Sequence, residues 1–267
     1  MIYTGYLDFW FTDVPLIERV EKFAEIGVHH LDVWCWRSLD MDALAAACKA
    51  AGSRLNSTFD EAMGSLADPA DNEKTIRSWQ ESLDMAVKYE VDHLFIFSNQ
   101  IDIIDGAEWT RRLSRNITEA EQYANLLNQT EQILKIAEQT DVEIWVEGLN
   151  EYHIQGGVLV HDHDLAADWI RRMDHPQFRL AFDCYHQQRT AGNLIQGLED
   201  YHGLYPTVHV GDVPTRQEPG TGEINFHNIA RKLHELKFDG FIGMEFAPSG
   251  DPAEVYQSVR EIMEYSD

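Results

Sequence analysis

Glu147, Asp183, His209 and Glu245 are the residues of this chain whose types and spacing point to chemistry. Three of them close apolar runs, IWVE, RLAFD and FIGME, and His209 lies inside the run TVHVGD. The steps between them are 36, 26 and 36 residues, each about the length of a strand, a helix and two loops. Taken singly, a carboxylate at the end of a buried strand reads equally as an ion-pair partner, and a lone His as a hydrogen-bonded core residue. Four in succession read as one device that gathers ligands around a divalent metal ion. Three carboxylates and an imidazole, with no thiolate, favour Mg, Mn or Co over a structural zinc. Cys184 beside Asp183 does not change that preference, because alternation along a strand turns its side chain to the opposite face.

Other residues stand where substrate would be. His186, three positions past Asp183, is expected to lean over the site from the end of its strand. The segment DVPTRQEPGTGE at 212–223 carries two prolines and two glycines and presents Arg216, whose planar fork suits a carboxylate or hydroxyls. Phe9, Trp10, Trp34 and Trp36 follow or end the first two strands, where they either wall a small substrate or fill the barrel mouth. A long connection from Ser98 to about Asn116 holds Trp109, Arg111, Arg112 and Arg115 and reads either as a lid or as a surface of arginines paired with acids. His161, Asp162, His163 and Asp164 resemble a metal cluster, but they precede a helical pattern and are expected to supply its N-cap and first turn. His29 and His30 precede the second strand, on the rim away from the chemistry. P-loop, dinucleotide-binding, nucleophile-elbow and zinc-protease motifs are absent from the sequence.

The elements that must position these residues follow from alternating patterns. Short β-like runs begin near Tyr3, Leu31, Arg54, His93, Glu143, Phe178, Thr207 and Gly240, and stretches with helical spacing separate them, such as Leu16, Val20, Phe23 and Ala24. Asp13 and Pro15 mark the first helix start, and Gly27 and Gly52 the ends of the first two helices. Eight β/α repeats predict a (β/α)8 TIM barrel, whose strands converge at their carboxyl ends so that residues distant in sequence meet around one ion. With 267 residues and no linker-like or low-complexity stretch, residues 1–267 are expected to form a single domain.

Composition narrows the partners. A net charge of -25, spread through the helical segments, opposes binding to nucleic acid, anionic lipid and other polyanions. Arg outnumbers Lys 14 to 7, which with the dispersed acid suggests a chain adapted to high salt. The start MIYTGYLDFWF lacks a secretory pattern, and no apolar run reaches the roughly 18 residues that span a bilayer. Three dispersed cysteines do not make a disulfide framework. A cytoplasmic protein is expected, and assembly into a homo-oligomer is left open.

The strand-end motifs, above all HVGDVPTRQEPGTGEINF at 209–226, resemble the hydroxypyruvate isomerase branch of the xylose isomerase-like TIM barrels, a superfamily that also contains ketose 3-epimerases and apurinic endonucleases. VEGLN is similar to a family E-P-x-N strand end, FDCYHQQ to D-x-Y-H-x-Q, and MEFAP to a final E-[FY]-x-P. The resemblance implies one divalent ion on Glu147, Asp183, His209 and Glu245, and substrate contacts from His186 and Arg216. It also implies isomerisation by proton transfer between adjacent carbons through an enediolate, with Glu147 and Glu245 as the catalytic pair. A small-molecule hydroxy-carbonyl or sugar substrate is what the resemblance implies, hydroxypyruvate giving 2-hydroxy-3-oxopropanoate being favoured, with ketose 3-epimerase or aldose-ketose isomerase as the alternative. An apurinic endonuclease-like phosphodiesterase and a non-catalytic metabolite-binding barrel are the readings from other classes. Gly148 departs from the family proline, His209 stands where many of the isomerases have glutamine, and NSTFDEAMGSLADP keeps Asn56 without the expected glycine- and arginine-containing loop.

Overall fold

A computed structural model describes residues 1–104, 107–152 and 154–264. Eight parallel strands form a closed ladder: β1 (Ile2–Tyr6), β2 (His30–Cys35), β3 (Arg54–Phe59), β4 (His93–Ile96), β7 (Glu143–Val146), β8 (Phe178–Asp183), β9 (Thr207–His209) and β10 (Phe241–Met244). Around the barrel the order is β1, β10, β9, β8, β7, β4, β3, β2. Each expected strand is present within a residue or so of its expected start. The remaining two strands, β5 (Ile101–Ile104) and β6 (Ala107–Thr110), pair antiparallel in the long connection after β4, where the sequence pattern had shown no element. Residues 105 and 106 of that connection lie outside the described residues.

The chain is organised as two compact units. One comprises residues 1–34, 40–56 and 181–267, and the other residues 35–39 and 57–180. In the first, helices α1 (Leu16–Glu25), α2 (Met41–Ala51), α6 (Cys184–Thr190), α7 (Leu194–Asp200), α8 (Phe226–Glu235) and α9 (Pro252–Met263) carry the apolar stripes. Val20 and Phe23 of α1 and Ile229 and Leu233 of α8 are buried, as amphipathic spacing requires. Asp13 does not cap α1; Pro15 occupies the N-cap and offers no side-chain acceptor. Gly52 ends α2 in the left-handed region at φ 65°, which glycine enters without a Cβ penalty.

In the second unit, α3 (Asn72–Tyr89), α4 (Glu119–Ala137) and α5 (His163–Met173) accompany β4 and β7. Asp162 is the N-cap of α5, its carboxylate accepting the Leu165 N–H at 2.8 Å. That is the capping role expected of the HDHD run. Asp60 anchors a buried polar knot by accepting from both arms of Arg37 at 2.6 and 2.7 Å and from Ser78 and Ser82. No helix among the described residues is long and apolar enough to cross a membrane.

Candidate metal centre and active site

Parallel register brings two of the candidate ligands together. Asp183 at the end of β8 lies opposite His209 at the end of β9, and His209 lies opposite Gly243 on β10. A Cβ at residue 243 would fall 2.4 Å from the imidazole Cδ2, so the ring rests on bare backbone at that point. Glu245 follows β10 by one residue and turns back to the imidazole, with Oε2 3.1 Å from His209 Nδ1. Asp183 Oδ2 is 3.4 Å from the same nitrogen, and the other ring nitrogen faces the Tyr6 hydroxyl at 3.4 Å. Thus Nδ1 looks toward the carboxylates while Tyr6 backs the far side of the ring. Glu147, one residue past β7, completes the set: one ligand atom from each of the four residues lies within 4.8 Å of every other, and all four side chains are buried.

This donor set fits a divalent cation. Three buried carboxylates whose nearest oxygens lie within 4.8 Å of one another repel strongly in a low-dielectric site, and a dication offsets that repulsion. The protein supplies part of the compensation itself. Burial pushes the Asp183 carboxyl upward, but the charge of His186, the contact with His209 and the Arg216 guanidinium outweigh it and hold Asp183 below the usual carboxylate range. Glu245 is moved the same way, with Arg216 and His209 overcoming its burial. Both groups are therefore ionised and ready to ligate at neutral pH.

The two residues expected at the substrate flank this cluster. His186 is buried in the first turn of α6, and its backbone N–H donates to Asp183 Oδ1 at 2.8 Å, which caps the helix on a ligand. Arg216 Nη2 sits 2.9 Å from Glu245 Oε2, and its guanidinium lies 5.0 Å from the Tyr185 ring centre and 6.0 Å from those of Phe9 and Trp34. Residue 216 has φ 53°, in the left-handed region. That backbone is held from the root of its loop: Asp212, fully buried, accepts the N–H groups of Val213, Gly220, Gly222 and Ile224. Asp212 is thus a loop staple, which explains why a carboxylate follows His209 so closely.

The aromatic residues divide between the two readings the sequence offered. Trp10 is fully buried and donates to the Met244 carbonyl, so it fills the core. Trp36 donates to Ser82, away from the ligands. Phe9 and Trp34 meet edge to face at 5.0 Å and form a wall beside Arg216. Sequence reasoning missed Tyr6 and Asp8, polar residues at the exit of β1. Their position at the carboxyl end of a barrel strand was the available signal.

The arginine-bearing connection is built differently. Arg111 is paired with Asp102 through both oxygens, at 2.9 and 2.5 Å, while Arg112 and Arg115 are exposed. They border an open cleft of about 920 Å³ that also contains Glu119 and Glu151. Gly148, the departure from the family proline, has a local cause. A Cβ there would approach the Asp162 carbonyl oxygen to 2.8 Å, so the backbone that caps α5 occupies the space.

Comparison with known proteins agrees with this architecture. A putative hydroxypyruvate isomerase of Danio rerio is 35% identical over 106 residues, 39% of this chain and 38% of that protein. One from Streptomyces coelicolor is 24% identical over 271 residues, covering 92% of this chain and 91% of its own length. A 2-oxo-tetronate isomerase of Haemophilus influenzae is 28% identical over 110 residues, 41% of this chain and 42% of that protein. The chain therefore spans less than half the length of the first and third relatives. Among solved structures, an AP endonuclease of family 2 from Brucella melitensis superposes with TM-score 0.83 at 21% identity, covering 100% of this chain and 99% of that one. A D-psicose 3-epimerase from Clostridium cellulolyticum H10 gives TM-score 0.77 at 18% identity, with 100% and 93% covered. Residues 20–265 match the xylose isomerase-like TIM barrel, and the chain belongs to that family.

Proposed function

We propose that residues 1–267 act as a single-domain, divalent metal-dependent isomerase. It moves a proton between adjacent carbons of a small hydroxy-carbonyl acid, with hydroxypyruvate and 2-hydroxy-3-oxopropanoate as the favoured pair. The observation that carries this reading is the buried group of Glu147, Asp183, His209 and Glu245 with Arg216 bound to its edge. When bound, a Mg, Mn or Co ion supplies positive charge beside the carbonyl and hydroxyl oxygens as an enediolate develops. Glu147, Asp183, His209 and Glu245 would hold it. Asp183 and His209 serve mainly as ligands, whereas Glu147 and Glu245 also move the proton, one removing it from carbon and the other, or the same one, returning it to the neighbouring carbon. His186 steadies a substrate oxygen.

Arg216 favours an acid over a neutral sugar. Its fork is boxed by three aromatic rings next to the metal ligands, a setting in which a guanidinium recognises a carboxylate strongly. Hydroxypyruvate and 2-oxo-tetronate, the substrates in the relatives' names, are both carboxylates. A ketose 3-epimerase would use the same pair of glutamates and would place the exchanged proton on a sugar carbon instead. A phosphodiesterase acting on DNA is disfavoured by the net charge of -25.

The test is proton NMR in deuterium oxide with hydroxypyruvate, tetroses, pentoses and hexoses, each with Mn2+ and after chelation. Deuterium is expected at one carbon of the acid substrate, only with metal present. Glu147→Gln and Glu245→Gln should each reduce exchange by roughly 10³-fold or more while thermal melts remain cooperative. Exchange that survives either substitution, or survives exhaustive chelation, would sink the two-glutamate mechanism; exchange confined to a ketose would reassign the substrate.

A further inference from the structure

We propose that Trp34 is a positioning residue that sets the orientation of Glu245 for metal binding through its indole N–H, and that Asp8 holds Trp34 in place to do so. The inference rests on the metal-centre reading given above. Glu245 lies one residue beyond the last ladder residue of β10, so its carboxylate is oriented by side chains. Oε2 takes two donors, His209 Nδ1 at 3.1 Å and Arg216 Nη2 at 2.9 Å. Among the described residues, Trp34 Nε1 at 2.9 Å is the one hydrogen-bond donor to Oε1. The carboxylate is thereby clamped from both sides. Without the indole its Oε1 side would be free to rotate about the two bonds on Oε2.

Trp34 is held for this task. It lies in β2, but its backbone N–H donates to Asp8 Oδ2 at 2.8 Å, two residues beyond the end of β1. The Asp8 carboxylate thus continues the backbone pairing past the point where the strand itself stops. Phe9 then stacks edge-on against the indole, with the ring planes at 90°. Four consecutive features of β1 and its exit serve the centre: Tyr6 behind His209, Asp8 on the Trp34 backbone, Phe9 on its ring, and Leu7 donating its N–H to the Asp32 carbonyl at 2.9 Å to fix the chain between them. An apolar wall alone would need only the ring; the polar end of the indole is what reaches the ligand. Partners of this kind, which hold a ligand without touching the ion, change metal affinity by about 10- to 100-fold when removed.

The experiment is a calorimetric titration of the metal-free protein with Mn2+, comparing wild type, Trp34→Phe, Glu245→Gln and the double variant. Phenylalanine keeps an aromatic ring against Phe9 while removing the indole N–H together with part of the ring volume, and the Glu245→Gln background separates these two losses. Trp34→Phe is expected to bind Mn2+ about 10- to 100-fold more weakly, with the metal-free protein still unfolding cooperatively. In the Glu245→Gln background the same substitution should add no further loss, because the carboxylate it orients is gone. Asp8→Ala should weaken binding in the same direction by a smaller factor. Mn2+ affinity of Trp34→Phe within about twofold of wild type overturns the proposal, and so does an equal loss in both backgrounds, which marks general damage to the fold. Wild-type protein that takes up no Mn2+ removes the metal centre itself, a result distinct from failure of Trp34 alone.

Discussion

Two loops that leave barrel strands at their carboxyl ends both carry arginine, and the protein treats them in opposite ways. The loop after β9 is tied to a single buried carboxylate, Asp212, which takes four backbone N–H groups and holds Arg216 in the left-handed region against Glu245. The connection after β4 is strapped by a hairpin and by Asp68, which accepts the backbone N–H and hydroxyl of Ser114. It leaves Arg112 and Arg115 exposed and Arg111 occupied by Asp102. One loop spends its backbone hydrogen bonds on aiming a side chain, the other on holding its own shape. Arginine at a strand exit is aimed when its backbone is fixed and its head is shielded from water, as Arg216 is against Glu245.

The comparison breaks most visibly in activity. Arg216→Gln should lower kcat/KM for the acid substrate by on the order of 10²-fold or more, since it removes a charge-assisted contact in a water-poor site. Arg112→Gln, exposed to solvent, should stay within about twofold. Steady-state kinetics on both variants checks the pair. Comparable losses at the two positions would place the substrate against the β4 connection too and dissolve the distinction.

Stability should follow the same division with a smaller spread. Asp212→Ala removes the acceptor of four N–H groups, those of Val213 and Ile224 buried, and should cost about 3 kcal/mol, whereas Asp68→Ala, which releases one edge of a surface connection, should cost about 1 kcal/mol. Urea unfolding of the two variants reads this directly. An Asp68 cost as large as that of Asp212 would mean that the β4 connection is as deeply organised as the Arg216 loop.

The sequence made the first of these loops legible and left the second obscure for physical reasons. Alternating apolar runs announced all eight barrel strands, because each barrel strand must bury side chains. Even ligand spacing brought Glu147, Asp183, His209 and Glu245 to notice, and the Pro- and Gly-rich 212–223 segment singled out Arg216. The β5–β6 hairpin escaped because IDII and AEWT are short and lie within a connection rich in polar residues. The two short helices after β8 also gave no separate signal. Trp34 read as apolar because residue type hides where its N–H will point, and Asp8 is meaningful only once β1 and β2 are side by side. The role of Asp212 gave no signal, since nothing in a one-dimensional pattern marks a carboxylate that will face four amides.

Two carboxylates that brace these neighbourhoods, Asp8 at the exit of β1 beside Glu245's partner Trp34 and Asp68 strapping the connection after β4, carry the contrast into pH. Burial, reinforced by Glu245, raises Asp8 to about 6 despite the Trp34 N–H, whereas hydrogen bonds from Ser114 and Ala70 outweigh burial and lower Asp68. The signs are opposite. A carboxyl whose folded value lies above its unfolded one near 3.8 stabilises the fold fully below that value and loses its contribution as pH rises through about 6. Asp68, lowered in the fold, contributes above its unfolded value and loses that contribution as pH falls below it. Between pH 4 and 6 the two therefore separate: the Asp8 contribution drains away while that of Asp68 is already complete. In metal-free protein, the stability difference between wild type and Asp8→Asn should change by on the order of 2 kcal/mol across that window, in the direction that favours wild type at the acid end. Asp68→Asn should show no such slope there. A flat difference for Asp8→Asn would mean that water reaches its carboxylate freely, and that the exit of β1 is as open as the connection after β4.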